Sequence, residues 1–167
     1  MKNKFFGKPK IVVFALITAF IVNVLAANEA ALSKNYDDDE HQIFELVNAQ
    51  RQKSRLNDLI WDDKLARMAR SYSKKMAKEN FFAHADFNGK TVVERAEDSN
   101  VKNWRKIGEN LFYFEGNHNF DALAVKSWMK SPTHRQNILD ENWTATGIGI
   151  AESRDGRIYI TQVFIED

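Results

Sequence analysis

His84, Glu109 and His134 are the residues of this chain best suited to chemistry, and each stands 25 positions from the next. Two imidazoles and a carboxylate can hold zinc and leave its fourth position to water. The same groups can pass protons as acid and base. A third use is structural, with His and Glu bonded to each other and to backbone so that they order loops. The chain has no cysteine, which excludes disulfides, thiol catalysis and cysteine-held zinc. It has no His-Glu-x-x-His helix motif and no Gly-x-Ser-x-Gly elbow. Metal or ligand binding, catalysis and a structural network all stay open for the three residues.

The elements that must position them are legible in part. His134 is the third residue after Ser131, and Ser131-Pro132 is a helix start. At that end the helix field favours neutral imidazole over imidazolium. Gly108 before Glu109 admits a tight turn, with Asn110 tying its amides, so Glu109 is expected at a loop edge. His84 is expected in a loop over 81–90.

The remaining periods give more helices and a closing hairpin. Ile43, Leu46, Val47 and Gln50 mark a helical face, with Asp38 or Asp39 as its cap. Leu65, Met68, Ala69, Tyr72 and Met76 form an amphipathic stripe behind Asp62 or Asp63. Thr91 to Glu97 fits a short helix, and Asp121 is placed to cap another carrying Trp128. Residues 146–151 and 157–165 are strand-like, joined across Asp155-Gly156. Helices first and a hairpin last indicate an α+β fold, helices against an antiparallel sheet. Trp61 and Trp128 are expected to be buried. Phe81, Phe82, Phe112, Tyr113 and Phe114 are core residues or the lining of an apolar groove for a lipid tail.

Lys2, Lys4, Lys8 and Lys10 precede an uncharged apolar run, Ile11 to Leu25, and Val24-Leu25-Ala26 offers small residues at a cleavage position. That is the pattern of a secretory signal peptide over 1–26. The run is short for a membrane span of roughly 20 residues; uncleaved, it would be an N-terminal anchor. Residues 27–40, ending in Asp37-Asp38-Asp39-Glu40, read as a polar linker, and 41–167 as one domain. Removing the leader's four lysines from 24 basic residues leaves 20 against 23 acidic ones. No basic surplus remains for phosphates, so no nucleic-acid partner is expected.

Seven segments in order resemble the CAP superfamily of cysteine-rich secretory proteins, antigen 5 and pathogenesis-related proteins. They are Asn48-Ala49-Gln50-Arg51, Leu59-Ile60-Trp61-Asp62 and Phe82-Ala83-His84-Ala85-Asp86. Gly108-Glu109-Asn110-Leu111 and the stretch from Trp128 to Leu139 follow, the latter close to the bacterial form of the family. Gly147 to Ala151 and Tyr159 to Phe164 resemble its closing strands. The resemblance implies a three-layer α-β-α sandwich with His84 and Glu109 in a shared central cavity. It also shows departures. Animal and plant members typically carry a His where this chain has Tyr159, and often an acid where it has Ser131. The candidate cavity set is therefore His84, Glu109, His134 and Tyr159; by residue type, His84, Glu109 and His134 are the candidate metal set, with zinc as the candidate cofactor.

The function expected on this basis is that of a secreted or periplasmic, monomeric, non-catalytic module. Its cavity would take a small apolar ligand such as a lipid, a metal or a protein partner. The alternatives are a metal-dependent extracytoplasmic hydrolase and an envelope protein–protein module. The membrane enters only through an uncleaved leader.

Overall fold

Acidic residues open the first helix. Asp37, Asp38, Asp39 and Glu40 fill the first turn of α1 (Asp37–Lys53), where the helix dipole favours negative charge. The helix thus begins inside the stretch 27–40 expected as a linker. Tyr36, and neither Asp38 nor Asp39, stands at the N-cap. Glu40 is 1% exposed. It accepts from the Ile150 amide at 2.9 Å and from Arg70 Nε at 2.7 Å. The residue that reads as solvated charge is a buried tie between three elements.

The structure is a computed structural model. It describes residues 35–116 and 119–167, so the expected leader, the linker before residue 35 and His118 lie outside the described residues. No helix among the described residues is long and apolar enough to cross a membrane.

After the two-residue β1 (Ile60–Trp61), Asp62 caps α2 (Asp63–Glu79), its carboxylate accepting from the Leu65 amide at 2.8 Å. The helix ends on Asn80 in the left-handed region. Next come α3 (Val92–Asp98), β2 (Lys106–Glu115), α4 (Phe120–Lys130) and α5 (Pro132–Ile138). The hairpin β3 (Ala145–Glu152) and β4 (Arg157–Glu166) closes the chain. Asn119, not Asp121, precedes α4; Asp121 binds the next amide, Ala122, at 2.7 Å.

The sheet runs β1-β3-β4-β2. Its long pairings are antiparallel, and only the short β1–β3 pair is parallel. Ile43, Val47, Trp128 and Ile138 pack on one face against Ile148, Ile160 and Phe164. Leu65, Met68, Ala69 and Ala96 pack on the other against Val163 and Ile165. Helices therefore cover both faces, giving three layers. Trp128 is buried as expected. Trp61 is only half-buried; it lies against His41, with ring centroids 4.3 Å apart, and its Nε1 donates to Asp63 at 2.9 Å.

Gly108 makes no turn. It sits in β2 opposite Phe164, and a Cβ there would come within 2.9 Å of Trp143. Glycine is needed more strictly on β3. A Cβ at Gly149 would lie 1.9 Å from the Arg70 amide nitrogen of α2, and the Gly149 carbonyl accepts from Ser73 at 2.8 Å. Gly149→Ala is expected to destabilise by about 1–3 kcal/mol or more, because a helix backbone must move. Urea unfolding would measure this, and an unchanged midpoint would contradict the close approach.

Candidate functional site

The site is built on the outer strand β2. Side chains alternate along a strand, so Glu109, Leu111 and Tyr113 share one face. Leu111 and Tyr113 pack there with Tyr72, Met76 and Tyr159. Glu109 continues this face, with its side chain 3% exposed. A carboxylate so buried is costly unless paired. Its Oε1 lies 2.8 Å from His84 Nδ1 and its Oε2 2.5 Å from Arg95 Nη2.

Arg95 is placed by α3. Thr91 and Glu94 form a capping box that fixes the start of this helix. Arg95 Nη1 donates to the carbonyls of His84 at 3.0 Å and Lys90 at 2.9 Å. Its guanidinium carbon lies 3.4 Å from the centroid of the Tyr72 ring, a cation–π arrangement. Tyr72 in turn donates to the Ala83 carbonyl at 2.6 Å. Burial, above all, pushes its hydroxyl up to about 12, so it stays a neutral donor.

The loop carrying His84 is fastened at several points. Asp86 accepts from the Asn88 and Lys90 amides at 2.8 and 3.0 Å and from Lys75 Nζ at 2.5 Å. Lys75, first among these donors, holds its carboxyl down to about 2. On this pinned frame the His84 side chain is 60% exposed. A neutral ring that donates from Nδ1 to the Glu109 carboxylate has its lone pair on Nε2.

His134 reaches the same region through backbone. Asn110, fully buried, donates to the His134 carbonyl at 3.2 Å and accepts from Asn137 at 2.9 Å. Asn137 also donates to the Glu109 carbonyl at 3.1 Å, and Trp128 Nε1 to the Leu111 carbonyl at 2.9 Å. Those carbonyls are two residues apart on one edge of β2, so α4 and α5 cover an edge that would otherwise be open. The segment Gly108-Glu109-Asn110 thus faces two ways: the Glu109 side chain holds the loop, and Asn110 holds α5.

The His134 imidazole is half-buried. Burial first, and the nearby His84 second, lower its pKa from the ordinary value. An NMR titration should place its midpoint below 6.5, and His84→Ala should leave most of the depression, because burial dominates. A His held below its unfolded value contributes stability that is present above that value and lost as pH falls through the folded one. A midpoint at or above 6.5 would contradict the burial.

Tyr159 is no open cavity wall. It is 2% exposed and packs edge-on to Tyr113, with centroids 5.1 Å apart, so it fills the core. The expected zinc set does not fit as arranged. Both oxygens of Glu109 are engaged, and no group of three or more His, Cys, Asp and Glu side chains among the described residues is placed to hold a metal ion. The sequence reading missed Arg95 and Tyr72. Arg95 is one of 24 basic residues, and only the capping box ahead of it hints at a fixed direction.

The model of the cysteine-rich secretory protein family, CAP, matches residues 44–164. The chain belongs to the CAP family. This CAP domain is 36% identical over 126 residues to the Bacillus subtilis uncharacterized protein YkwD, covering 75% of this chain and 46% of that protein. A solved extracellular protein containing an SCP domain, from Bacillus anthracis, is 30% identical with a TM-score of 0.69, covering 78% of this chain and 41% of that one. An outer surface protein of Borrelia burgdorferi shares the fold, with a TM-score of 0.73 at 20% identity, over 80% of this chain and 96% of its own. The chain spans less than half the length of the Bacillus relatives it matches.

Proposed function

We propose that this CAP protein is an exported, non-catalytic binding module whose recognition group is the His84 imidazole. The observation that supports this best is an exposed His ring aligned by a buried carboxylate on a fastened loop. Glu109 stands behind the ring with both oxygens committed, which suits an orienting group better than a free base. Phe82, 49% exposed, lies two residues away with its ring 5.8 Å from that of Tyr113. The surface so formed suits a small, largely apolar molecule with one polar group that meets His84 Nε2.

Export is supported by the Lys-rich start and apolar run and by the extracellular and outer-surface character of two solved relatives. Intact mass of the protein recovered outside the cytoplasm should lack residues 1–26; full-length protein in the membrane fraction would favour an anchor. For the ligand, an organic extract of the purified protein is compared by mass spectrometry with that of His84→Ala. A compound present in the first and absent from the second is expected. Identical extracts would sink the reading, and a hydrolytic activity abolished by chelator would replace it.

A further inference from the structure

The expected metal set includes Glu109, yet this chain puts a different cation on that carboxylate. We propose that Arg95 takes the place of a metal at Glu109 and sets what the site accepts: neutral hydrogen-bonding ligands, with divalent cations excluded. This rests on His84 being the recognition group.

A zinc ion on Glu109 would lie about 2.0–2.2 Å from an oxygen. Arg95 Nη2 already stands 2.5 Å from Oε2, and His84 Nδ1 stands 2.8 Å from Oε1. Ion and guanidinium would claim the same oxygens, and two positive centres so close repel strongly where water is scarce. Without Glu109 as a ligand, the two imidazoles fall short of the three protein ligands an open zinc site uses.

Arg95 is also hard to displace. Its side chain is 11% exposed, whereas the surface pair Lys90–Asp98 is 44% and 58% exposed. Moving it would empty two backbone carbonyls and the face of Tyr72. Among the described residues the nearby acids are committed elsewhere, Asp98 to Lys90. Glu94 is turned back to Thr91, and Asp86 is taken by Lys75 and two amides. Arg95 and Glu109 therefore offset each other's charge behind the ring, and a neutral His84 donating from Nδ1 has its lone pair on Nε2. Such a site suits a hydroxyl or amide donor.

Zinc chloride is titrated calorimetrically into the full chain, Arg95→Gln, Arg95→Lys and Arg95→Gln/Glu109→Gln, each checked for fold by circular dichroism. The expected result is saturable binding in Arg95→Gln at least tenfold tighter than in the parent, lost in the double variant. Arg95→Lys, which keeps the charge, should exclude zinc as the parent does. Parent binding as tight as that of Arg95→Gln, or a folded Arg95→Gln with no gain, overturns the proposal. Should Arg95→Gln not fold, histidine ring NMR of the parent decides. Saturable zinc shifts at both His84 and His134 overturn it, and their absence together with exclusion by Arg95→Lys sustains it. The extraction comparison with His84→Ala fails or succeeds independently, so loss of the ligand reading and loss of the Arg95 assignment are told apart.

Discussion

Trp128→Ala is expected to cost about 3–5 kcal/mol of unfolding free energy, the range for emptying a large core aromatic site. Trp128 is 1% exposed and lies edge-on to Phe112, with centroids 6.5 Å apart. Part of the loss comes from its indole N–H, which satisfies the Leu111 carbonyl at 2.9 Å on the outer edge of the sheet. Trp128→Phe keeps most of the apolar volume and drops that bond, so a smaller loss of about 1–3 kcal/mol is expected. Denaturant unfolding of both variants separates the packing and bonding parts. A loss below about 1 kcal/mol for Trp128→Ala would place the ring outside the core. The consequence reaches the site, because α4 and α5 together fasten the edge of β2 that carries Glu109.

What was legible follows from which physical signals leave a mark on sequence. The α2 stripe, its Asp62 cap, the Ser131-Pro132 start and the closing hairpin rest on local periodicity and capping, and the structure has them at those places. β2 rests on neither. Both its faces are covered, so apolar residues run together over 111–114, and the two polar residues before them are buried by specific partners. Polar residues beside a glycine read as a turn, and only long-range pairing with β4 makes them strand. Glu40 misled in the same way: inside an acidic run, nothing local marks the one acid whose partners, Arg70 and Ile150, lie far along the chain. His84 and Glu109 were paired through family resemblance. Arg95 had no such guide, because its meaning lies in contacts to residues 72, 84, 90 and 109 that only the fold assembles.

Glu109→Ala is expected to destabilise by about 1.5–3 kcal/mol, because it leaves a half-buried guanidinium without its counter-charge. The carboxylate and guanidinium side chains are 3% and 11% exposed, which sets this pair apart from surface ion pairs worth about 0–1 kcal/mol. Glu109→Gln retains shape and one acceptor, and should lose less. The decisive comparison is Glu109→Ala in an Arg95→Met background. With no charge left to strand, the alanine substitution should cost far less there, and the coupling between the two sites should reach about 0.5–3 kcal/mol. Independent, additive losses would mean that water, not Glu109, satisfies Arg95. His84→Ala supplies the contrast. Its ring is 60% exposed, so its removal should cost about 1 kcal/mol or less while abolishing whatever the ring binds. A large loss for Glu109→Ala beside a small one for His84→Ala would separate the frame, Glu109 with Arg95, from the group that the frame presents. Comparable large losses would instead make His84 part of the frame and leave the surface of the loop without its recognition group.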